Sequence, residues 1–429
     1  MTFKENKLAE LCDIVSSKRV FAASYQSEGV PFFRGKEVSQ LARGENTTAD
    51  LYISEEVYTD VISRTGPINS GDILLTAVGT LGNPYQVKVT DLPFYFKDGN
   101  IVWLRNFSKE INSTYLFYWL NSDYGRTKVL DTSIGSTQAA LTITGLSAIS
   151  ISCPSLAQQT GIVRILSAID QKIAINNAVS KTLEEIVQTL FKSWFIDFDP
   201  VKAKMAGENP KGMDAATAAL FPDAMEESEL GMIPKGWKIG GLNDIAKTRK
   251  ELAKVASLDA QINYVGLEHL PRNSLFFRTW STAERVQSGK TYFKRNDILF
   301  GKLRPYFHKV VVSPIDGVCS TDIVVIQSFD SELDPYTASL VNLNEFVAFV
   351  TNRSSGTRMP RTSWQEMCEF KILIPGFDLI LKFNELMRPL FLQALSANLE
   401  SNNLEDIRNA LLPRLISGDL QIPEEMLAS

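Results

Sequence analysis

The sequence of 429 residues predicts an α+β fold in which two similar globular domains are separated by two long antiparallel helices, a coiled coil, with a pseudo-twofold internal repeat. Three observations predict this fold. Matching motifs recur in the same order in both halves, each half begins with short strand-like runs, and each ends in a long helical segment with a heptad pattern. The predicted boundaries are 1–155 and 233–375 for the globular domains, 156–198 and 376–416 for the helices, 199–232 for the linker and 417–429 for the tail.

The internal repeat is visible as short motifs in collinear order. In order along the chain, the matches are "KLAELCDIV" (7–15) with "KIGGLNDIA" (238–246), so that Leu11 meets Leu242, Gly-x-Glu at 35–37 with 266–268, "GDILLT" (71–76) with "NDILFG" (296–301), "IGSTQ" (134–138) with "SGTRM" (355–359), "ISISCP" (149–154) with "FKILIP" (370–375), and "LEEI" (183–186) with "LEDI" (404–407). The spacing between partners falls from 231 to 221 residues, which small loop deletions explain.

The first part of each half predicts short, mixed strands. Runs such as "DILLTAV", "NIVWL", "DILFGKL", "KVVVS" and "DIVVIQ" are rich in β-branched and apolar residues. Gly, Pro, Asn and Asp separate these runs, as expected for turns between strands. Each globular domain is therefore expected to be a compact α+β unit.

The second part of each half predicts a long helix with an apolar seam. A helix over 157–195 would be roughly 58 Å long at about 1.5 Å per residue, and so long a helix is not stable alone in water. Its own copy is the simplest partner, in an antiparallel pair with a globular domain at each end. The predicted seam consists of Ile162, Leu166, Ile169, Ile173, Asn176, Ser180, Leu183, Val187, Leu190 and Trp194, and of Phe383, Met387, Leu390, Ala394, Ala397, Ser401, Leu404, Arg408, Leu411 and Leu415.

Composition limits the class of protein. Apolar residues make up 44% and charged residues 22%, and neither an apolar run of about 18 residues nor a signal peptide is visible, so a cytoplasmic globular protein is expected. The four cysteines are isolated from one another and only His269 and His308 are present, which argues against a metal site or a disulfide framework.

Catalytic signatures are present only in part. "SGKT" at 288–291 ends like a phosphate-binding loop, but Glu284 occupies the position of that loop's first Gly. "GNPYQ" at 82–86 lacks the second Pro of the Asn-Pro-Pro-aromatic loop of amino-methyltransferases. No grouping of acid, histidine and nucleophile is visible, so we expect that this chain is not an enzyme.

Positive charge is concentrated in the second half. The net charge is −5, yet residues 231–375 carry 19 basic and 14 acidic side chains. Basic and aromatic residues alternate at 292–309, and a Gly-containing loop at 351–364 carries arginines, a combination that suits DNA phosphates and guanine edges. The candidate DNA-binding residues are Lys302, Arg304, Tyr306, Arg353, Gly356, Thr357, Arg358 and Arg361 and, in the matching loop of the first half, Gly135, Ser136, Thr137 and Gln138.

Several phrases together resemble one family over essentially the whole chain. "LFKSWFIDFDPVKAK" (190–204), "LFPDAMEESELGMIPKGW" (220–237), "LLPRLISGDL" (411–420) and the paired "GDILL" and "NDILFGKLRPY" are similar to the specificity (S) subunit of bacterial type I restriction-modification enzymes. The resemblance implies two target-recognition domains that read the halves of a bipartite DNA site, with helices that set the gap. It also implies two modification (M) subunits that carry S-adenosylmethionine, restriction (R) subunits that use ATP and Mg, and no cofactor on this chain.

The resemblance does not identify the residues of two sites, the contact with the M subunits and the DNA contact of the first half. M subunits are expected on the helices, with Ile162, Ile169, Leu183, Leu190, Leu390, Leu404 and Leu411 as the predicted contact residues. Ala77 and Gly79 occupy the first-half positions of Lys302 and Arg304, so DNA contacts there must come from elsewhere, with Lys18, Arg19, Arg34, Lys36 and Arg64 as candidates. Two alternatives are a pseudo-symmetric protein scaffold that touches no DNA and a complete methyltransferase in one chain.

Overall fold

The computed structural model describes residues 3–45, 47–135, 139–254, 258–354, 356 and 359–427. The chain divides into two compact units, the first formed by Met1–Gln171 with Glu405–Ser429 and the second by Lys172–Leu404. Within the part of the chain that the structure describes, no helix combines the length and apolar character needed to cross a membrane.

The described residues of the first unit form ten short strands and six short helices ahead of a long one. The strands are β1 (Lys4–Lys7), β2 (Asp13–Val15), β3 (Tyr25–Gln26), β4 (Val30–Phe33), β5 (Tyr52–Ile53), β6 (Ile73–Thr76), β7 (Pro84–Gln86), β8 (Tyr95–Phe96), β9 (Ile101–Arg105) and β10 (Ser150–Cys153). The helices are α1 (Leu8–Leu11), α2 (Gly35–Ala42), α3 (Glu55–Thr65), α4 (Ser113–Asn121), α5 (Asp123–Leu130) and α6 (Ile143–Ser147), followed by the long α7 (Leu156–Phe195).

The second unit repeats this succession after a linker. The linker holds α8 (Asp199–Met205), α9 (Ala215–Ala219) and a hairpin of β11 (Met225–Ser228) with β12 (Gly231–Pro234). The strands that follow are β13 (Lys238–Gly240), β14 (Ala246–Thr248), β15 (Leu252–Ala253), β16 (Asn263–Val265), β17 (Ser281–Thr282), β18 (Lys290–Phe293), β19 (Ile298–Gly301), β20 (Val310–Val312), β21 (Gly317–Cys319), β22 (Ile323–Ser328) and β23 (Ile372–Ile374). The helices are α10 (Asp334–Val341), α11 (Asn344–Arg353), α12 (Trp364–Cys368), the long α13 (Phe377–Ser417) and, back in the first unit, α14 (Glu424–Leu427).

Each unit is built on a central four-stranded sheet with the same strand order. The order is β2-β9-β6-β7 in the first unit and β14-β22-β19-β20 in the second. Along β9, Val102 and Leu104 join the apolar cluster beside the long helices, whereas Ile101 and Trp103 join a cluster on the other face. A sheet buried on both faces needs continuous apolar strands, which explains runs such as "DILLT" and "NIVWL".

The "GDILLT" and "NDILFG" motifs make the same turn into the central sheet. Gly71 and Asn296 both have positive φ, 92° and 71°, a region that glycine and asparagine tolerate best. The next residue is an Asp whose carboxylate accepts the amide three residues earlier, from Asn69 to Asp72 at 2.9 Å and from Lys294 to Asp297 at 2.8 Å. These bonds confirm the predicted match between the two motifs.

Two of the earlier motif matches are shifted in the structure. Lys4 pairs with Cys153 as Lys238 pairs with Ile374, so Leu8 rather than Leu11 corresponds to Leu242. The predicted match at this point was therefore wrong by three residues, because the motif is short and lies beside loops of unequal length.

The Gly-x-Glu match is wrong by one residue. The Arg34 amide donates to the Glu37 carboxylate, and the Gly266 amide donates in the same way to Nδ1 of His269. Arg34 therefore corresponds to Gly266, and Lys36 corresponds to Glu268.

The long helices pack antiparallel within each unit. In the first unit Ile162 and Leu166 of α7 share a core with Leu412 and Leu415 of α13. In the second unit the order is reversed along the chain, because Phe191, near the end of α7, packs against the start of α13. The predicted fold class is confirmed: an α+β chain with an internal repeat and two long antiparallel helices.

The middle of the helix seam is small and polar, as its residue pattern predicts. Asn176 donates to Glu400 at 2.8 Å, and Asn398 donates to the Ser180 hydroxyl at 2.7 Å. Ala394 is fully buried. Small side chains let the helix backbones approach closely, and these hydrogen bonds satisfy Asn176, Ser180 and Asn398 within the seam.

Candidate nucleic-acid interface

The two predicted basic clusters of the second unit lie side by side. β19 leads into a loop at 302–306, and the second loop, at 354–362, follows α11. The Arg304 amide donates to the Pro360 carbonyl at 2.7 Å, and Leu303 forms a β-bridge with Arg361. These two segments, called the basic loops below, therefore form one surface although they are far apart in sequence.

The side chains of the basic loops differ in exposure. Arg361 is 55% exposed and lies 3.2 Å from the Asp322 carboxylate, and Tyr306 is 50% exposed. Lys302 and Arg304 are half-buried, and the buried Nε of Arg304 has no hydrogen-bond partner among the described residues.

The loop at 354–362 is described only in part. Arg353, at the end of α11, pairs with Glu369 and lies 5.2 Å from the centroid of the Phe349 ring. Gly356 has φ 98°, a conformation that a glycine adopts without strain. Thr357 and Arg358 lie outside the described residues, so their proposed contact with DNA stays a prediction.

The first unit has the same backbone frame as the basic loops. Val78 bridges Ala140, at the positions that Leu303 and Arg361 occupy in the second unit. The frame is therefore a property of the repeat and does not depend on basic side chains.

A second hydrogen bond is also shared by the two frames. The Leu141 amide donates to the Ala77 carbonyl at 2.9 Å, and the Thr362 amide donates to the Lys302 carbonyl at 3.0 Å. The frame thus aligns Lys302, Arg304 and Arg361 with Ala77, Gly79 and Ala140.

Little of the predicted first-unit loop can be described. Gly135 has φ 100°, and the neighbouring Ile134 is 61% exposed. Ser136, Thr137 and Gln138 lie outside the described residues. Their role in reading bases stays a prediction.

The structure places one further cation, Arg272, beside the basic loops, and it shows that Lys309 makes a contact within the fold instead. Arg272 stacks over the Phe307 ring at 3.9 Å, a contact that no spacing in the sequence indicates. Lys309 instead donates to the Leu267 carbonyl, and burial, with a smaller contribution from Arg272, lowers the pKa of Lys309. Arg272 thus belongs to the candidate interface, whereas Lys309 has a structural contact.

The residues predicted to dock partner proteins lie in the helix seam. Ile162 is 3% exposed, and the others are half-buried: Ile169, Leu183, Leu190, Leu390, Leu404 and Leu411. Their main contacts are therefore within the chain. A partner would meet other apolar residues of the long helices, which are Leu156, Ile175, Ile186, Phe377, Leu386, Leu392 and Ile407, each at least 40% exposed.

Comparisons with known proteins agree on one family. A family model for the type I restriction modification DNA specificity domain matches residues 1–185. The chain is 23% identical over 423 residues to the HindI specificity subunit of Haemophilus influenzae, a match that covers 82% of this chain and 87% of the relative. It is 26% identical over 421 residues to the MjaIX specificity subunit of Methanocaldococcus jannaschii, with 93% and 89% covered.

A solved structure shares the fold over nearly the whole chain. The type I restriction-modification S subunit from M. genitalium superposes with a TM-score of 0.57 at 14% sequence identity, covering 96% of each chain. The sequence relatives and the family model agree with this fold, and the chain is similar to type I restriction-modification specificity subunits over most of its length.

Proposed function

We propose that this chain is the DNA sequence-recognition subunit of a type I restriction-modification enzyme, in which each unit reads one half of a bipartite site. One observation supports this above all: the two units hold the same backbone frame at the same end of the central sheet but carry different side chains on it. Base edges are read by side chains, so one frame with two sets of side chains suits two different half-sites.

In the second unit the basic loops supply both kinds of contact that DNA recognition needs. Lys302 and Arg304 are suited to phosphates, and the exposed Arg361 has the planar fork that pairs with guanine in the major groove. Its contact with Asp322 is a surface ion pair, worth less than about 1 kcal/mol, so DNA can displace the carboxylate.

The long helices are proposed to set the gap and to dock two M subunits. Two copies of one partner need two similar surfaces, and the repeat supplies exposed apolar residues in matching positions. Leu156 corresponds to Phe377, and Ile186 corresponds to Ile407. The M subunits would also provide much of the non-specific attraction to DNA, which a chain of net charge −5 lacks.

Catalysis is assigned to the partners. We expect S-adenosylmethionine on the M subunits, and ATP and Mg on the R subunits, with this chain contributing recognition alone.

The experiment is a binding assay on the complex of this chain with its M subunits. Methylome sequencing of a strain that expresses the system first gives the bipartite motif. Binding of a duplex with that motif is then compared with binding of a scrambled duplex over a series of salt concentrations. We expect about 10³-fold or greater preference for the motif. Equal binding of both duplexes would favour a protein scaffold and refute DNA reading.

A further inference from the structure

Four segments of the first unit meet at the end of its central sheet that corresponds to the position of the basic loops. They are residues 16–21, 33–36, 77–79 and 97–100, called the strand-end surface here. The contacts that join them are the Gly99 amide to the Ser16 hydroxyl at 3.2 Å, the Lys97 amide to the Phe33 carbonyl at 2.9 Å and the Ala77 amide to the Asn100 carbonyl at 2.8 Å. Residues distant in sequence thus share one surface.

The strand-end surface is rich in cations. Lys18, Arg19 and Lys36 are exposed, Lys36 in a surface ion pair with Asp50 at 2.9 Å, and Lys97 is half-buried. Phe21 is 67% exposed, and the Arg19 guanidinium lies 5.4 Å from the centroid of its ring. An exposed aromatic ring among basic side chains is the composition expected of a DNA-contacting surface.

The two units carry their basic residues on different segments of the shared fold. Lys36 corresponds to Glu268 of the second unit, and the backbone bond of Lys97 to Phe33 corresponds to that of Ser320 to Val265. The first unit therefore has cations on the segments where the second has Glu268 and Ser320. It has none where the second has its basic loops.

We propose that Lys18, Arg19, Lys36 and Lys97, with Phe21, form the DNA-contacting patch of the first unit. The patch rests on the proposed function. It takes the role that the basic loops have in the second unit, because the first unit has the uncharged Ala77, Gly79 and Ala140 at the positions of Lys302, Arg304 and Arg361. The cations contact phosphates, and the Phe21 ring packs on sugars or base edges.

Two other candidate cations are assigned different roles. Arg34 is held by Glu37, which is 1% exposed, and by Asp50, at 2.7 and 2.6 Å. Burial alone would raise the pKa of Glu37, but hydrogen bonds from the Arg34 side chain and backbone lower it. Arg34 therefore stabilises the fold.

Arg64 lies near the opposite end of the sheet. It precedes Thr65, whose carbonyl accepts a hydrogen bond from Arg105, the last residue of β9. The strand-end surface adjoins Ile101, the first residue of β9. Arg64 is thus separated from the patch by the length of the strand, roughly 15 Å at about 3.3 Å per residue.

The test uses the complex with M subunits and the double variant Lys18→Ala/Arg19→Ala. Each lost phosphate contact lowers the slope of log affinity against log salt by about 0.9, so the pair lowers it by about 1.8. The loss of affinity between about 50 and 200 mM salt then becomes roughly tenfold smaller than in the parent.

The matched control is Arg64→Ala/Lys109→Ala, which removes one Arg and one Lys near the other end of the sheet, since the exposed Lys109 follows the last residue of β9, Arg105, by four residues. This control should keep the parent's slope. If both double variants lowered the slope equally, or if Lys18→Ala/Arg19→Ala left it unchanged, the patch would be refuted. Melting curves of both variants, and the milder Lys18→Gln/Arg19→Gln, check that the fold is kept.

The parent complex separates this proposal from the proposed function. A parent that fails to prefer its motif refutes the proposed function itself. A parent that prefers its motif while the patch variant behaves like the control refutes the patch alone. Phe21→Ala is expected to weaken selection at the first half-site and to leave the second half-site unchanged in the methylome.

Discussion

Replacing Glu184 with Gln tests how the globular part of the second unit is fastened to α7. The Glu184 carboxylate accepts the Leu275 amide at 2.5 Å and the Ser274 hydroxyl at 3.1 Å. Burial raises the pKa of Glu184 from the ordinary 4.5 to about 7, against the opposing effect of these two hydrogen bonds. The ionised form is therefore held in the folded protein at a cost in free energy.

The sign and size of the effect follow from proton linkage. A carboxyl group with a raised pKa makes the folded state bind more protons than the unfolded state between pH 4.5 and about 7. Stability contributed by this site therefore falls as pH rises through that window and is level above it. The shift corresponds to about 3 kcal/mol at 1.36 kcal/mol per pKa unit. Gln keeps an oxygen for the Leu275 amide and carries no charge, so Glu184→Gln should be more stable at pH 8 by up to this amount.

Hydrogen exchange of the full chain provides the assay, because it resolves the segment around Leu275 from the first unit. The free energy of opening of the segment around Leu275 is compared between parent and variant at pH values from 5 to 8. The exchange rates are first corrected for the pH dependence of intrinsic amide exchange. Glu185→Gln is the control, since the Glu185 side chain is 64% exposed beside Lys181. A variant that opens more easily than the parent at pH 8, or that keeps the parent's pH dependence, would show that the reasoning is mistaken.

Three further predictions concern the helices, the basic loops and the first unit. Inserting one heptad at matched positions of α7 and α13 adds about 10.5 Å and should lengthen the gap by about three base pairs, with half-sites unchanged in the methylome; altered half-sites would contradict the spacing role. Arg361→Ala should cost about 1–3 kcal/mol of binding to the motif, whereas equal loss on scrambled DNA would argue against base reading; Arg304→Ala, at a phosphate contact, should weaken binding to both duplexes alike. Asp170→Asn, which loses the 2.8 Å ion pair to Arg408, should lower stability by about 1–2 kcal/mol in thermal melting. Glu110→Gln, at an exposed surface pair with Lys4, should change stability less than Asp170→Asn does, and equal effects would refute the distinction.

The helix seam could be predicted from sequence because its geometry is local. All twenty predicted seam positions are buried or half-buried, including the polar Asn176 and Ser401. A heptad pattern depends only on residues three and four apart, so the chain specifies the packed face without knowledge of any distant contact. Arg408 also fits, because its ion pair with Asp170 satisfies the charge within the first unit.

The candidate interface was less accessible from sequence because it depends on contacts between distant segments. The pairing of Leu303 with Arg361 and the stacking of Arg272 on Phe307 join residues that share no local pattern. The shift from Leu11 to Leu8 as the partner of Leu242 has the same origin, since strand pairing with β10 and β23 sets the register. Two short sequences that are similar but flanked by loops of unequal length cannot specify that strand pairing.

The structural repeat also explains how two units of one fold can differ in what they contact. The shared features are backbone hydrogen bonds, such as those of Leu141 to Ala77 and Thr362 to Lys302, and they place no demand on the side chains. Charge can therefore move within the frame, onto the strand-end surface in one unit and onto the basic loops in the other, without altering the sheet. Because the frame and the contacting side chains are separable, substitutions such as Lys18→Ala should weaken DNA binding while leaving the buried core around Trp103 intact.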